Sequence, residues 1–157
     1  MTGNALNLNV AEDLGFVMKI LLPVDGSEHS DRVTRHVIRV AKGCADYEVL
    51  LLNVQAPINA PEVLGHMPAR EIEAMQESRG GEAMASARAL LDAAGVAYVP
   101  EVALGPVAES ITRLASERKC DEVVMGSHGA GTLRNALMGS VTTDVIRLSG
   151  CPVTIVK

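Results

Sequence analysis

The chain has almost no aromatic side chains. Phe16, Tyr47 and Tyr98 are the only three among its 157 residues, and tryptophan is absent. A groove for single-stranded nucleic acid needs several rings on which bases can stack, and a cage for quaternary ammonium groups needs rings as well. Both kinds of site are therefore excluded. A ligand of this protein must be held by aliphatic side chains, backbone groups and a few polar side chains.

A basic tract and a long apolar run are also missing. The 14 Lys and Arg residues are outnumbered by 19 Asp and Glu, giving a net charge of −5, and no basic cluster could neutralise a nucleic-acid backbone. Glu12 and Asp13 stand where a signal peptide would be apolar, and Lys19, Pro23 and Asn53 interrupt the longest apolar stretches. We therefore expect a cytoplasmic protein that engages neither nucleic acid nor a membrane.

The few cysteines and histidines have no metal-site spacing. Cys44, Cys120 and Cys151 are odd in number and form no CxxC pair, so we predict free thiols in a reducing compartment. His29 and His36 share a predicted helix but lack both i,i+4 spacing and a third ligand. We predict no metal held by protein side chains alone.

Aliphatic runs alternate with amphipathic segments from residue 17 onward. The runs at 17–25, 47–55, 96–104, 121–126 and 151–157 predict strands that are buried on both faces. The segments at 28–43, 70–94, 106–119 and 140–150 predict helices, the second weakened at Gly80 and Gly81. This alternation predicts a parallel sheet covered by helices on both faces. We expect one α/β domain over residues 16–157, a loose tail at 1–15 and a loop at 56–69.

Two predicted turns after strands carry unusual residues. Pro23-Val24-Asp25-Gly26-Ser27 follows the first strand, and Gly126-Ser127-His128-Gly129-Ala130-Gly131 follows the fourth. Glycine lets backbone approach a ligand closely, and the helix that begins near Ser140 would present its N-terminus to a phosphate. These turns therefore predict a polyphosphate site. The alternative is that the glycines only turn the chain, since neither a Walker A loop nor G-x-G-x-x-G is present.

The glycine spacing carries a family resemblance. Gly126-x2-Gly129-x9-Gly139-Ser140 resembles the ATP-binding signature of the universal stress protein family, and the opening KILLPVDGSEHS resembles that family's first strand and turn. The resemblance covers residues 17–157 and selects the ATP-binding subfamily. It implies an open five-stranded parallel sheet of order 3-2-1-4-5, Rossmann-like and similar to the adenine nucleotide alpha hydrolase fold. In that order the two unusual turns meet where the strand order reverses.

The resemblance also implies a set of ligand-contacting positions. Glycines and Ser140 would surround the phosphates, Asp25 would face the ribose or the phosphate–metal region, and aliphatic residues would line the adenosine. His128 either donates to a phosphate or faces solvent. The ligand would be ATP, or alternatively AMP or ADP, with Mg²⁺ or Mn²⁺ bridging the phosphates. The implied positions are Pro23, Val24, Asp25, Val54, Met125, Gly126, Ser127, His128, Gly129, Gly131, Gly139, Ser140, Val141 and Thr142.

The expected function is nucleotide-dependent regulation in a stress response. Rapid ATP hydrolysis needs a charge clamp and an orienting base, and the sequence offers neither clearly, so we expect at most a weak ATPase. One alternative is a dimeric scaffold without nucleotide. A more distant one is an ATP-pyrophosphatase or nucleotidyl-transfer enzyme, whose loop glycine pair is missing from PVDGSEHS. The resemblance further implies a homodimer through the apolar strand 152–157, and a flap formed by 56–81.

Overall fold

The fold alternates strands and helices along the whole described chain. The computed structural model describes residues 17–43, 46–58, 67–129 and 138–157, so Cys44, Gly131 and the predicted tail lie outside the described residues. No helix within these ranges combines the length and the apolar character needed to cross a bilayer. The elements are β1 (Met18–Pro23), α1 (Glu28–Gly43), β2 (Tyr47–Gln55), α2 (Ala69–Ala94), β3 (Tyr98–Leu104), α3 (Val107–Glu117), β4 (Glu122–Gly126), α4 (Ser140–Leu148) and β5 (Val153–Val156).

The five strands form one parallel sheet in the order β3-β2-β1-β4-β5, which confirms the expected topology. The central strand β1 pairs with β2 from Met18 beside Tyr47 onward, and with β4 on its other side, where Leu21 lies beside Val123. The chain moves from β1 toward one edge and later returns to the opposite side of β1. The strand order therefore reverses between β1 and β4, which leaves a crevice beyond their carboxyl ends.

The inner strands β1, β2 and β4 are buried on both faces, which explains why they are almost continuously aliphatic. The edge strands β3 and β5 are only partly buried, so the expectation of burial on both faces was wrong for these two, each of which has a neighbouring strand on one side only. Ile20 and Leu22 point into a core shared with α1 and α2. Leu21, between them in sequence, points into a second core beneath α3 and α4. Because successive side chains of a strand point to opposite faces, a strand covered on both sides has no polar alternation.

Helix α2 runs without interruption through the two glycines that we expected to weaken it. A Cβ on Gly80 would lie 2.6 Å from Cγ1 of Val102 in β3, whereas a Cβ on Gly81 would meet nothing within 4 Å. Gly80 therefore lets the helix approach the sheet closely, and this packing offsets the low helix propensity of glycine. Helix propensity does not include such tertiary contacts, and the weakening expected at the two glycines stays a prediction.

Candidate functional site

A cleft of about 340 Å³ opens at the carboxyl end of the sheet, where the strand order reverses. Its volume is at the lower end of the range for small-molecule sites, about 300–1,000 Å³. Every predicted site residue lines it except Ser127 and Gly131, the second of which lies outside the described residues. The lining residues are Pro23, Val24, Asp25, Ser30, Asn53, Val54, Val107, Ile111, Met125, Gly126, His128, Gly129, Gly139, Ser140, Val141 and Thr142.

Ser127 lies behind the cleft and joins the strands that frame it. Its side chain is buried, and its backbone N–H donates to the Val156 carbonyl at 3.1 Å. Its own carbonyl accepts from the Gly139 N–H at 2.8 Å, and its hydroxyl is 3.0 Å from Nδ1 of His128. Ser127 thus connects the end of β4 to β5 and to the start of α4.

The turn after β1 holds the Asp25 carboxylate in one position. Ser30 donates through its hydroxyl to Oδ1 of Asp25 at 2.8 Å, and the Ser27 N–H donates to the same oxygen at 3.0 Å. The Asp25 N–H in turn donates to the Ser30 hydroxyl at 3.0 Å. A Cβ on Gly129 would lie 2.7 Å from Oδ2 of Asp25, so only glycine lets the loop after β4 pass this carboxylate.

Two polar residues of the cleft were missed by the sequence analysis. Asn53 is only 3% exposed, and its Nδ2 donates to the Val24 carbonyl at 2.8 Å while its Oδ1 accepts from Nε2 of Gln55 at 2.7 Å. Ser30 was missed as well, although a serine in the first turn of a helix is well placed to bond a preceding Asp. A lone amide inside an aliphatic strand was the available signal for Asn53, because buried polar groups need partners.

Aliphatic side chains form one end of the cleft. Val24 and Met125 are buried at the ends of β1 and β4, and Val54 lies at the end of β2, as predicted. Val107 and Ile111 of α3 complete this wall and were not predicted. Their i,i+4 spacing places them on one helix face, but the sequence alone did not indicate that this face reaches the cleft.

Helix α4 points its N-terminus into the cleft. Its N-cap residue is Gly139, with φ −69° and ψ 156°, so Ser140 is the first helical residue, and among the described residues no side chain caps this end. The Thr142 hydroxyl donates to the Gly126 carbonyl at 3.0 Å and ties the helix to the end of β4. Backbone N–H groups at a helix N-terminus, together with the helix dipole, favour an anion.

The cleft offers little acid–base chemistry. Within the described part of the chain, Asp25 and His128 are the only carboxylate and imidazole side chains that line it, and no lysine or arginine does. No three His, Cys, Asp or Glu side chains among the described residues could together hold a metal ion. The arrangement can therefore hold a group with apolar faces at one end and an anion at the other.

Comparison with known proteins places the chain in a family. The model of the universal stress protein family matches residues 17–157. The chain belongs to this family. The universal stress protein MJ0531 of Methanocaldococcus jannaschii is 31% identical over 156 residues, covering 97% of this chain and 89% of the relative. The solved structure of MJ0577 from the same organism has a TM-score of 0.74 at 31% identity, covering 88% of this chain and 94% of that one.

Several solved structures with this fold contain nucleotides. A universal stress protein in complex with cAMP has a TM-score of 0.68 at 23% identity, with coverage of 89% of this chain and 97% of that one. A universal stress protein from Archaeoglobus fulgidus in complex with dAMP has a TM-score of 0.60 at 21% identity, with coverage of 89% of this chain and 98% of that one. A universal stress protein family member from Arabidopsis thaliana with AMP bound has a TM-score of 0.64 at 21% identity, with coverage of 89% of this chain and 91% of that one. At these identities the likeness shows the shared fold.

Proposed function

We propose that this universal stress protein binds an adenine nucleotide in the cleft, with ATP as the principal ligand. The observation that carries the proposal is the division of one cleft into an aliphatic end and an N–H-rich end, formed by Val24, Val54 and Met125 and by the N-terminus of α4. A nucleotide has the same division, since its base has apolar faces and its phosphates are anions. Relatives of the same fold contain cAMP, dAMP and AMP, which supports an adenine base.

In this proposal the adenine lies between aliphatic walls. The chain has no tryptophan and only three other aromatic residues, and the two of these that the structure describes, Tyr47 and Tyr98, do not line the cleft. Pro23 and Val24 would contact the adenosine from β1, and Met125 from β4. Val54 would contact the base through its side chain and backbone. The base would then be held by the burial of its apolar faces and by backbone hydrogen bonds, since neither described tyrosine lines the cleft.

The phosphates would lie over the glycine loop and the start of α4. Gly126, Gly129, Gly139 and Ser140 line this end, and the backbone of Val141 and Thr142 follows directly. A side chain at position 129 would collide with the Asp25 carboxylate, so this glycine keeps the phosphate end open. We therefore assign the protein to the ATP-binding branch of the family, whose signature these residues match.

A divalent cation, Mg²⁺ or Mn²⁺, would neutralise the phosphates. Asp25 is the only carboxylate that lines the cleft among the described residues, so the protein would add at most one charged ligand to those of the nucleotide. Mg²⁺ commonly binds in this manner, through one or two carboxylates together with substrate phosphates.

The proposed role is regulatory, with at most slow ATP hydrolysis. Fast phosphoryl transfer relies on positive side chains that stabilise the transition state and on a group that orients the attacking water. No lysine or arginine of the described chain lines the cleft, which favours binding over turnover. Nucleotide occupancy would then change the partners or the stability of the protein during stress.

We also propose a homodimer through the free edge of β5. The Val123 N–H donates to the Pro152 carbonyl at 2.9 Å, and the Ser127 N–H donates to the Val156 carbonyl at 3.1 Å. Because alternate residues of a strand present their N–H and C=O groups to opposite sides, those of Val153 and Ile155 face the free edge. This edge of β5 pairs with no other strand that the structure describes, and an apolar edge of this kind is suited to pairing with a second copy.

Thermal unfolding with and without ATP and Mg²⁺ tests the proposed function. Free ATP at a hundred times its dissociation constant should stabilise the fold by about 2.7 kcal/mol, which is a rise in Tm of about 5–10 °C for a domain of this size. With only two tyrosines and no tryptophan, co-purified adenine would also dominate the near-ultraviolet absorbance. An unchanged Tm at millimolar ATP would favour the alternative of a nucleotide-free scaffold.

A further inference from the structure

Two imidazole rings from different elements meet beside the phosphate end of the cleft. His29 belongs to the first turn of α1, and His128 lies in the loop after β4. Their ring centroids are 6.0 Å apart, and the ring planes are inclined by 42°. His128 lines the cleft, whereas His29 does not and stands next to it, since a Cβ on Gly126 would lie 3.5 Å from the Cβ of His29.

The contact with Arg32 bears on which nitrogen of His29 donates. A guanidinium nitrogen of Arg32 contacts Nδ1 of His29. A guanidinium has only donors, so this contact favours the neutral tautomer in which Nδ1 accepts and Nε2 carries the ring proton. His29 therefore keeps one N–H donor in its neutral form, and the positive charge of Arg32 lies directly behind the ring.

The separation of the rings suits one phosphate group. The ring centroids of His29 and His128 are 6.0 Å apart, which is ring-to-ring contact, so the two imidazoles lie side by side and their N–H groups can donate to different oxygens of the same phosphate. A phosphate held by both rings would also gain from the nearby positive charge of Arg32, whose guanidinium contacts His29. No other imidazole pair occurs among the ring contacts of the described residues.

We propose that His29 and His128 together bind a terminal phosphate of a nucleoside triphosphate and so favour ATP over AMP. This inference rests on the proposed function, because it takes the base and the first phosphate to occupy the cleft itself. The cleft is small, and His29 stands beside it, near Gly126, without lining it. Only a phosphate chain that extends beyond the first phosphate would reach both rings, so an AMP molecule would leave His29 without a contact.

Calorimetric titration with ATP and with AMP, each with Mg²⁺, tests the inference on wild type and three variants. We expect His29→Ala to weaken ATP binding about tenfold, the usual effect of losing one hydrogen bond to a charged group, and to leave AMP binding within about twofold. His29→Gln keeps an N–H donor, so its affinity for ATP should fall less than that of His29→Ala. His36→Ala is the matched control, since His36 faces Arg39 at 3.5 Å on the same helix but does not line the cleft.

The outcomes separate this inference from the proposed function. Equal losses for ATP and AMP in His29→Ala, or no loss for ATP, would overturn the role of the histidine pair while leaving nucleotide binding intact. A wild-type protein that binds neither nucleotide would overturn both. Thermal unfolding of each variant without nucleotide checks that the fold is retained, and we expect no change because His29 is only half-buried.

Discussion

Two adjacent glycines in α2 should respond in opposite ways to the same substitution. Gly80 faces β3, where an added Cβ would lie 2.6 Å and 2.7 Å from the two methyl carbons of Val102 and 3.2 Å from its Cβ. Gly81 faces open space, with nothing within 4 Å of an added Cβ. Both residues lie in the interior of a helix that runs from Ala69 to Ala94, so they share the same backbone conformation.

The magnitudes follow from helix propensity and overpacking. Glycine in a helix interior is about 0.5–1 kcal/mol less favourable than alanine, so Gly81→Ala should raise the free energy of unfolding by about that amount. Gly80→Ala gains the same propensity but inserts a methyl group against a stiff β-branched side chain, which costs about 1–3 kcal/mol. We therefore expect the two variants to differ in stability by about 1–3 kcal/mol, with Gly80→Ala the less stable.

Urea denaturation followed by circular dichroism measures this difference as a shift in the midpoint at constant slope. Val102→Ala removes both methyl carbons that the new Cβ would strike, so Gly80→Ala should cost less in that background. Equal stability of Gly80→Ala and Gly81→Ala would refute the argument that α2 depends on close approach at Gly80.

Three other predictions concern the glycine loop, the buried thiol and the sheet edge. Thr142→Val removes the hydrogen bond to the Gly126 carbonyl, so urea denaturation should show that the free energy of unfolding falls by about 1–3 kcal/mol. Calorimetry should show a weaker ATP affinity, and an unchanged stability together with an unchanged affinity would contradict the role of this bond. Burial, and then the nearby Cys151, raise the pKa of the Cys120 thiol from its ordinary 9.0 to about 11. The folded chain then holds this proton to a higher pH than the unfolded chain, so the free energy of unfolding that this thiol contributes below pH 9.0 is lost as the pH rises toward 11. Cys120→Ala should therefore show a smaller loss of stability between pH 9.0 and 11, and an equal loss in the variant and the wild type would contradict this. Val153→Pro removes an N–H from the free edge of β5 and should yield monomers in sedimentation velocity, whereas Val153→Ala should remain dimeric; a dimeric proline variant would rule out pairing along this edge.

The fold was predictable because its main determinants are local in the sequence. Aliphatic runs such as YEVLLLNVQ are typical of strands buried on both faces, and the helices between them end near glycines such as Gly43 and Gly95. The strand order followed from the family resemblance and is confirmed. The close contact of Gly80 with Val102 was not predictable, because it depends on how a helix and a strand far apart in sequence approach each other.

The cleft was predictable where its residues follow strand ends and was missed where they reach it from elsewhere. Asp25, Gly126 and Gly129 lie in the turns that the sequence singled out. Ile111 reaches the cleft from the side of a helix, and His29 approaches His128 only because α1 packs beside the end of β4. Such contacts arise from the packing of whole elements, and a single sequence carries no local signal for them.

Calorimetric titration of ATP with Mg²⁺ into wild type, Gly129→Val and Gly150→Val tests most directly whether the nucleotide occupies this cleft. A side chain at position 129 would begin 2.7 Å from Oδ2 of Asp25 at the phosphate end, whereas Gly150 has nothing within 4 Å of an added Cβ. We expect saturable binding for wild type and Gly150→Val and none measurable for Gly129→Val, with all three proteins folded. Equal ATP affinity in all three proteins would contradict it.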